Sequence, residues 1–156
     1  MSQLTASGGP LRLSLFASPG VDLALVLGML SGARVLVADD DPELLDAIAT
    51  AFDRLDAEVV RAGTGAELVD RLADSGPFDL VVTDIAMPWM TGISAMRAAR
   101  TAGLTMSLIV ITALRDRTIP EEVKALGGNV VLLRKPFELK ALESAAVKLL
   151  GEKTRA

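Results

Sequence analysis

The chain has 156 residues, 51% of them hydrophobic but only 3% aromatic, and 16 basic against 20 acidic residues give a net charge of −4. That length suits one domain plus a modest extra segment, with a core built from Val, Leu, Ile, Ala and Met. The absence of cysteine and histidine excludes disulfides, thiolate or imidazole metal sites, and thiol or imidazole nucleophiles, and no Lys/Arg cluster marks a nucleic-acid footprint.

Any nucleophile must then be a carboxylate, a hydroxyl or a lysine. Any metal must be a hard cation held by oxygen, Mg²⁺ or Mn²⁺.

Met1 to Pro10 is small and polar. Leu11 to Leu30 is apolar but interrupted by Arg12, Ser14, Pro19-Gly20, Asp22 and Gly28. A membrane-spanning helix needs about 20 predominantly apolar residues, so no span is expected. No positive region precedes Arg12, as a signal peptide would require. Residues 1–32 therefore read as an N-terminal extension, flexible or the product of a start assigned too early, with Met29 as the real beginning. A small docking helix from Val21 to Leu30 is the lesser alternative.

From Ala33 onward strands and helices alternate. Arg34 to Ala38 is a continuous apolar run suited to a strand buried on both faces. Asp41-Pro42 gives a helix cap followed by proline at the first helical position. That helix carries Leu44, Leu45, Ile48, Phe52 and Leu55 at helical spacing. Glu58 to Arg61 is a second strand, and Gly63-Thr64-Gly65 turns into a second helix bearing Leu68, Val69 and Leu72. The glycine pair begins like a dinucleotide loop, but Leu68 stands where a third glycine belongs, so a simple turn is expected.

Ser75-Gly76-Pro77 breaks the second helix, and Phe78 to Thr83 forms the third strand. Ile93 to Thr101 reads as the third helix, Ser107 to Ile111 as the fourth strand, and Thr118 to Leu126 as the fourth helix, with Gly127-Gly128 at its end. Val130 to Leu133 is the fifth strand and Leu139 to Leu150 a final amphipathic helix. Residues 33–152 are thus expected to form one α/β domain, with 153–156 as a tail. Its architecture should be doubly wound and flavodoxin-like, a five-stranded parallel sheet of order 2-1-3-4-5.

Four of the apolar runs end in reactive residues: VLVA before Asp39-Asp40-Asp41, LVVT before Asp84, LIVI before Thr112, and VVLLR before Lys135. Parallel sheets bind ligands beyond the carboxyl ends of their strands. Carboxylates, a hydroxyl and a lysine converging there suit a metal ion and a phosphoryl group. Each residue also has a plainer role open to it. Asp41 fits a helix cap better than a ligand, and Thr112 alone is a β-favouring residue. Met87, Trp89 and Met90 suit either packing or an exposed apolar patch for a partner.

The stretches VLVADDDPEL, FDLVVTDIAMPWMTG, LIVITAL and LLRKPFE resemble the response-regulator receiver domain of two-component signalling, from about Arg34 to Leu150. The resemblance implies that Asp84 is the phosphoacceptor. It implies that Asp39, Asp40, Asp84 and the backbone carbonyl of Ala86 hold Mg²⁺, or Mn²⁺. Lys135 would reach a phosphoryl oxygen, and Thr112 would donate its hydroxyl to another once Asp84 is phosphorylated. Ala113 would leave the group open to solvent, and the Lys135-Pro136 peptide is often cis in the family.

The same resemblance implies a cytoplasmic switch rather than an enzyme. It would be loaded by a histidine kinase or histidine phosphotransfer protein and act through contact with an unidentified downstream protein. Monomer and phosphorylation-dependent dimer both fit. A stand-alone, chemotaxis-regulator-like receiver is expected, because little chain follows Leu150. Two positions depart from the pattern: Leu132 replaces the aromatic residue that commonly rotates inward on activation, and Thr91 replaces a common Asp. Ala86 and Leu114 are apolar where the family tunes loss of the phosphoryl group, so slow hydrolysis is expected. The alternatives are a phosphorylation-independent adaptor of the same fold and a phosphatase with an aspartyl nucleophile. The phosphatase is disfavoured because Ala86 stands where a second Asp is usual.

Overall fold

A computed structural model describes residues 23–155. Five parallel strands form one sheet in the order β2-β1-β3-β4-β5. They are β1 (Arg34–Ala38), β2 (Glu58–Ala62), β3 (Leu80–Asp84), β4 (Ser107–Thr112) and β5 (Val130–Arg134). The helices are α1 (Leu23–Leu30), α2 (Pro42–Arg54), α3 (Gly65–Asp74), α4 (Gly92–Thr101), α5 (Ile119–Lys124) and α6 (Leu139–Arg155).

The doubly wound form follows from side-chain alternation in strands apolar on both faces. Val35, Val37, Leu80, Val82, Ile109 and Ile111 point into one core, with Ile48 and Phe52 of α2 and Leu142 and Ala146 of α6. The intervening Leu36, Ala38, Val81, Leu108 and Val110 point into a second core, with Leu68 of α3, Ile93 and Met96 of α4, and Ile119 and Val123 of α5. Right-handed crossovers distribute the helices this way once strand order reverses at β1. The reversal opens a crevice between the carboxyl ends of β1 and β3.

Local signals act as read, with small shifts. Asp41 caps α2, its Oδ1 accepting from Glu43 N at 3.0 Å and Leu44 N at 3.5 Å. Thr64 caps α3 through Glu67 N, and the Glu67 carboxylate accepts from Gly63 N at 2.7 Å, so Gly63-Thr64-Gly65 is the expected turn. The third strand begins at Leu80 rather than Phe78. Phe78 instead lies buried before it, with the Arg34 guanidinium 4.8 Å from its ring centre. The fourth predicted helix shortens to Ile119–Lys124: Thr118 makes no side-chain cap bond, and the chain tightens after Lys124, where Leu126 N donates to Val123 O and Gly127 N to Lys124 O. The last helix runs on through Arg155 rather than giving way to a tail after residue 152.

The larger correction concerns the N-terminal extension. Residues 23–30 form α1, packed against α6, with Val26 and Leu30 fully buried in the first core. Gly32 N donates to Asp56 O at 2.8 Å and Ser31 Oγ to the Asp56 carboxylate at 2.9 Å, tying the segment after α1 to the turn before β2. A flexible extension therefore does not describe this part, and the docking helix does, from Leu23 onward. The upstream part of that reading lies outside the described residues.

On α6, Glu143 is 8% exposed, and it has no ion-pair or hydrogen-bond partner among the described residues. It lines a groove between α2 and α6 with Thr50, Ala51 and Arg54. Burial pushes its carboxyl up to about 7. A raised carboxyl pKa means that the folded state holds a proton the unfolded chain releases. Stability should therefore fall as pH rises from the ordinary glutamate range through neutrality. Glu143→Gln should flatten this slope and gain on the order of 2 kcal/mol above neutral pH, less than the whole shift because the groove admits water. Urea midpoints across that range, with the same slope in both proteins as the contrary result, check it.

Candidate functional site

The crevice gathers its charged residues from three strands. β1 ends at Ala38, and its register with β2 and β3 places Asp39 and Asp40 immediately beyond the sheet. β3 carries Asp84 as its last residue, opposite Ile111 of β4. β5 ends at Arg134, opposite Thr112, and Lys135 N then donates to Thr112 O at 2.7 Å. Parallel register alone thus delivers the three acidic groups and the lysine to one edge.

Asp39 is 0% and Asp84 4% exposed, whereas Asp40 faces solvent. Oxygen atoms of these three carboxylates lie within 4.8 Å of one another. Lys135 Nζ stands 3.2 Å from Asp39 Oδ2 and 3.3 Å from Asp84 Oδ2, bridging the two buried acids. Asp39 is also oriented by Asp41 N, which donates to its Oδ1 at 2.8 Å. Burial, then repulsion from Asp39, raises the Asp84 pKa, and Lys135 offsets only part of this. For Lys135, burial pulls the ammonium pKa down, but attraction to Asp84 and Asp39 outweighs it and the net direction is up. The site therefore carries surplus negative charge that one lysine does not neutralise. Three carboxylate oxygen donors with that surplus fit a hard divalent cation.

Thr112 is buried at the end of β4, and its hydroxyl oxygen accepts from Leu114 N at 2.9 Å. The hydroxyl proton remains to be donated, and the structure shows no bond between it and Asp84. Ala86 and Ala113 are exposed at the rim, and Leu132 is half-buried on β5 against the second core. The Lys135-Pro136 peptide is cis. Met87 is buried and Met90 half-buried, so of the three apolar loop residues only Trp89 stands in solvent.

Sequence reasoning placed Gly92 only within the FDLVVTDIAMPWMTG stretch and passed over Thr83 as support beneath Asp84. Thr83 Oγ1 donates to Asp84 O at 2.9 Å, and Gly92 N donates to Ile85 O at 2.9 Å. A Cβ on Gly92 would lie 2.1 Å from Asp84 O and 2.8 Å from Thr83 Oγ1. Only glycine lets α4 start this close to the acceptor strand. The signal was present as the glycine opening a helix after a strand–loop segment. Gly92→Ala should cost about 1–3 kcal/mol through forced displacement and should weaken Mg²⁺ binding by moving Asp84. A calorimetric titration with Mg²⁺ at unchanged affinity would contradict this. Arg134 was also missed; its Nη1 holds Leu114 O at 3.0 Å and so restrains the loop after β4.

The doubly wound parallel sheet thus carries an acidic cluster and a lysine at its switch point. The family model for the response regulator receiver domain matches residues 35–147, and the chain belongs to that family. It is 34% identical over 126 residues to the DNA-binding transcriptional regulator NtrC of Azospirillum brasilense, covering 80% of this chain but only 26% of that protein. It is 30% identical over 123 residues to the response regulator receiver protein CpdR of Brucella abortus, covering 75% of this chain and 96% of that one. Among solved structures, the Francisella response regulator 1452 receiver domain superposes with a TM-score of 0.71 at 28% identity, over 78% of this chain and 99% of that one. Receiver domains of this family are phosphoacceptor modules of two-component systems. Among the described residues, no helix is long and apolar enough to cross a membrane.

Proposed function

We propose that the chain is a phosphorylation-controlled switch. It accepts a phosphoryl group on Asp84 from a histidine kinase or histidine phosphotransfer protein and acts through contact with another protein in the cytoplasm. The observation that carries this reading is the Asp39–Lys135–Asp84 bridge at the end of β3, beside the exposed Asp40.

An Asp84 carboxylate oxygen attacks the donor's phosphorus in line. A new O–P bond forms as the donor's N–P bond breaks, and the imidazole leaves with its electron pair. Lys135 follows the charge from the bare carboxylate to a phosphoryl oxygen. Thr112 keeps Leu114 N as donor to its oxygen and turns its own proton toward the new group. That bond exists only in the phosphorylated state, and it would draw β4 and its loop inward. A Mg²⁺ or Mn²⁺ ion held by Asp39, Asp40, Asp84 and the Ala86 carbonyl would supply positive charge against the phosphoryl oxygens.

Incubation with Mg²⁺ and phosphoramidate tests the reading. Stable labelling of the wild type, reduced to background in Asp84→Asn, supports it. Absence of labelling would favour an adaptor that works unphosphorylated, and continuous consumption of donor would favour an enzyme.

A further inference from the structure

Trp89 is the chain's single tryptophan, and it is 93% exposed on the loop between β3 and α4, five residues after Asp84. Its backbone is in the left-handed region, φ 72°. For a bulky residue that conformation is an outlier, whereas glycine or asparagine would occupy it with little strain. Folding gains nothing in return, because an indole left in water buries no apolar surface. The loop is also pinned outward. Met90 O packs so close to Gly65 at the start of α3 that a Cβ there would stand 2.1 Å from it. Met87 is meanwhile anchored in the second core.

The surroundings say what would meet the indole. Pro88, Ala86, Ala113 and Leu114 are exposed around the same crevice, Leu114 at 43%. Exposed apolar residues of the β3–α4 and β4–α5 loops therefore stand in the rim of the acidic pocket, together with the exposed Asp40. A phosphohistidine must come to Asp84 from another molecule, since this chain has no histidine. Whatever presents that group must cover the rim.

We propose that Trp89 is a docking anchor for the phosphodonor protein, its indole covered by apolar side chains flanking the donor's phosphohistidine. This rests on the acceptor reading above. A strained, solvated tryptophan becomes favourable only when a partner desolvates it, and tryptophan is enriched among residues that dominate interface affinity. Glycine or asparagine would serve the free protein better.

The probe is a tryptophan-free histidine kinase fragment, autophosphorylated with ATP and chosen from a panel because it labels the wild-type chain. Trp89→Gly should lower the second-order transfer rate from this donor by about tenfold or more, and Trp89→Phe should recover most of it. Phosphoramidate, which needs no docking, should label wild type and variants at similar rates, and Trp89→Gly should melt no lower than wild type. Adding the unphosphorylated kinase should shift the wild-type tryptophan emission to the blue as the indole leaves water. An equal loss with both donors would mean a scaffold role and overturn the proposal, as would unchanged transfer from the kinase. If phosphoramidate labels the wild type and the chosen kinase transfers to it no faster than phosphoramidate does, docking is refuted and the acceptor reading stands. If neither donor labels it, the acceptor reading itself has failed.

Discussion

Lys135→Met should destabilise the folded protein by about 3–5 kcal/mol at about pH 8 without divalent cations. The lysine lies between two carboxylates that are almost wholly buried, 3.2 Å from one and 3.3 Å from the other. Methionine fills similar space without the charge, so Asp39 and Asp84 would face each other unneutralised. Two remedies should each recover much of the loss. Asp84 already has a raised pKa, from burial first and Asp39 second, and removing Lys135 raises it further. A raised acid pKa stabilises the fold below it and is lost as pH rises through it. The penalty should therefore shrink on acidification. Millimolar Mg²⁺ should shrink it too, by replacing the missing positive charge. Denaturation with urea at acid and alkaline pH, with and without Mg²⁺, separates these effects. An identical loss under all conditions would mean that the lysine serves packing rather than charge.

Leu30→Ala should cost about 2–5 kcal/mol. Leu30 is 0% exposed at the end of α1 and belongs to the core formed by α2, α6 and one face of the sheet. If the segment before Ala33 were a loose extension, the substitution would leave the melting temperature unchanged. The contrast with Leu27→Ala is the control, because Leu27 lies on the same helix at 40% exposure. Its replacement should change stability by no more than about 0.5 kcal/mol.

These two residues also mark where reading the chain works and where it stops. The strands were legible because a strand buried on both faces must be apolar throughout, and Val35 to Ala38, Leu80 to Val82 and Leu108 to Ile111 have that form. The acids were legible because they terminate such runs, and the parallel connections leave those ends on one edge. Lys135 followed from the same logic. Helix α1 was legible only as the lesser alternative, because whether LALVLGML folds back depends on a complementary surface on α6, more than 100 residues away. Its even distribution of apolar residues, broken by Gly28, gives no face to orient it.

Glu143 was missed for a different reason. Leu139, Leu142, Ala146, Val147 and Leu150 mark the apolar stripe of α6, and Glu143 sits within it. A charge inside the stripe was the available clue. Trp89 was noticed but left undecided between packing and contact. Only its backbone angle and exposure separate the two, and neither can be read from letters.

The division of the interior into two cores bears on how the proposed switch would work. Thr112 and Leu132 adjoin the side held by α3, α4 and α5, while α1, α2 and α6 close the other. The sheet stands between them like a bulkhead, and a shift in the compartment beside α5 need not flood the one behind it. Helix α1 adds Val26 and Leu30 to the far wall, so the inward movement proposed for β4 would fall on the near one.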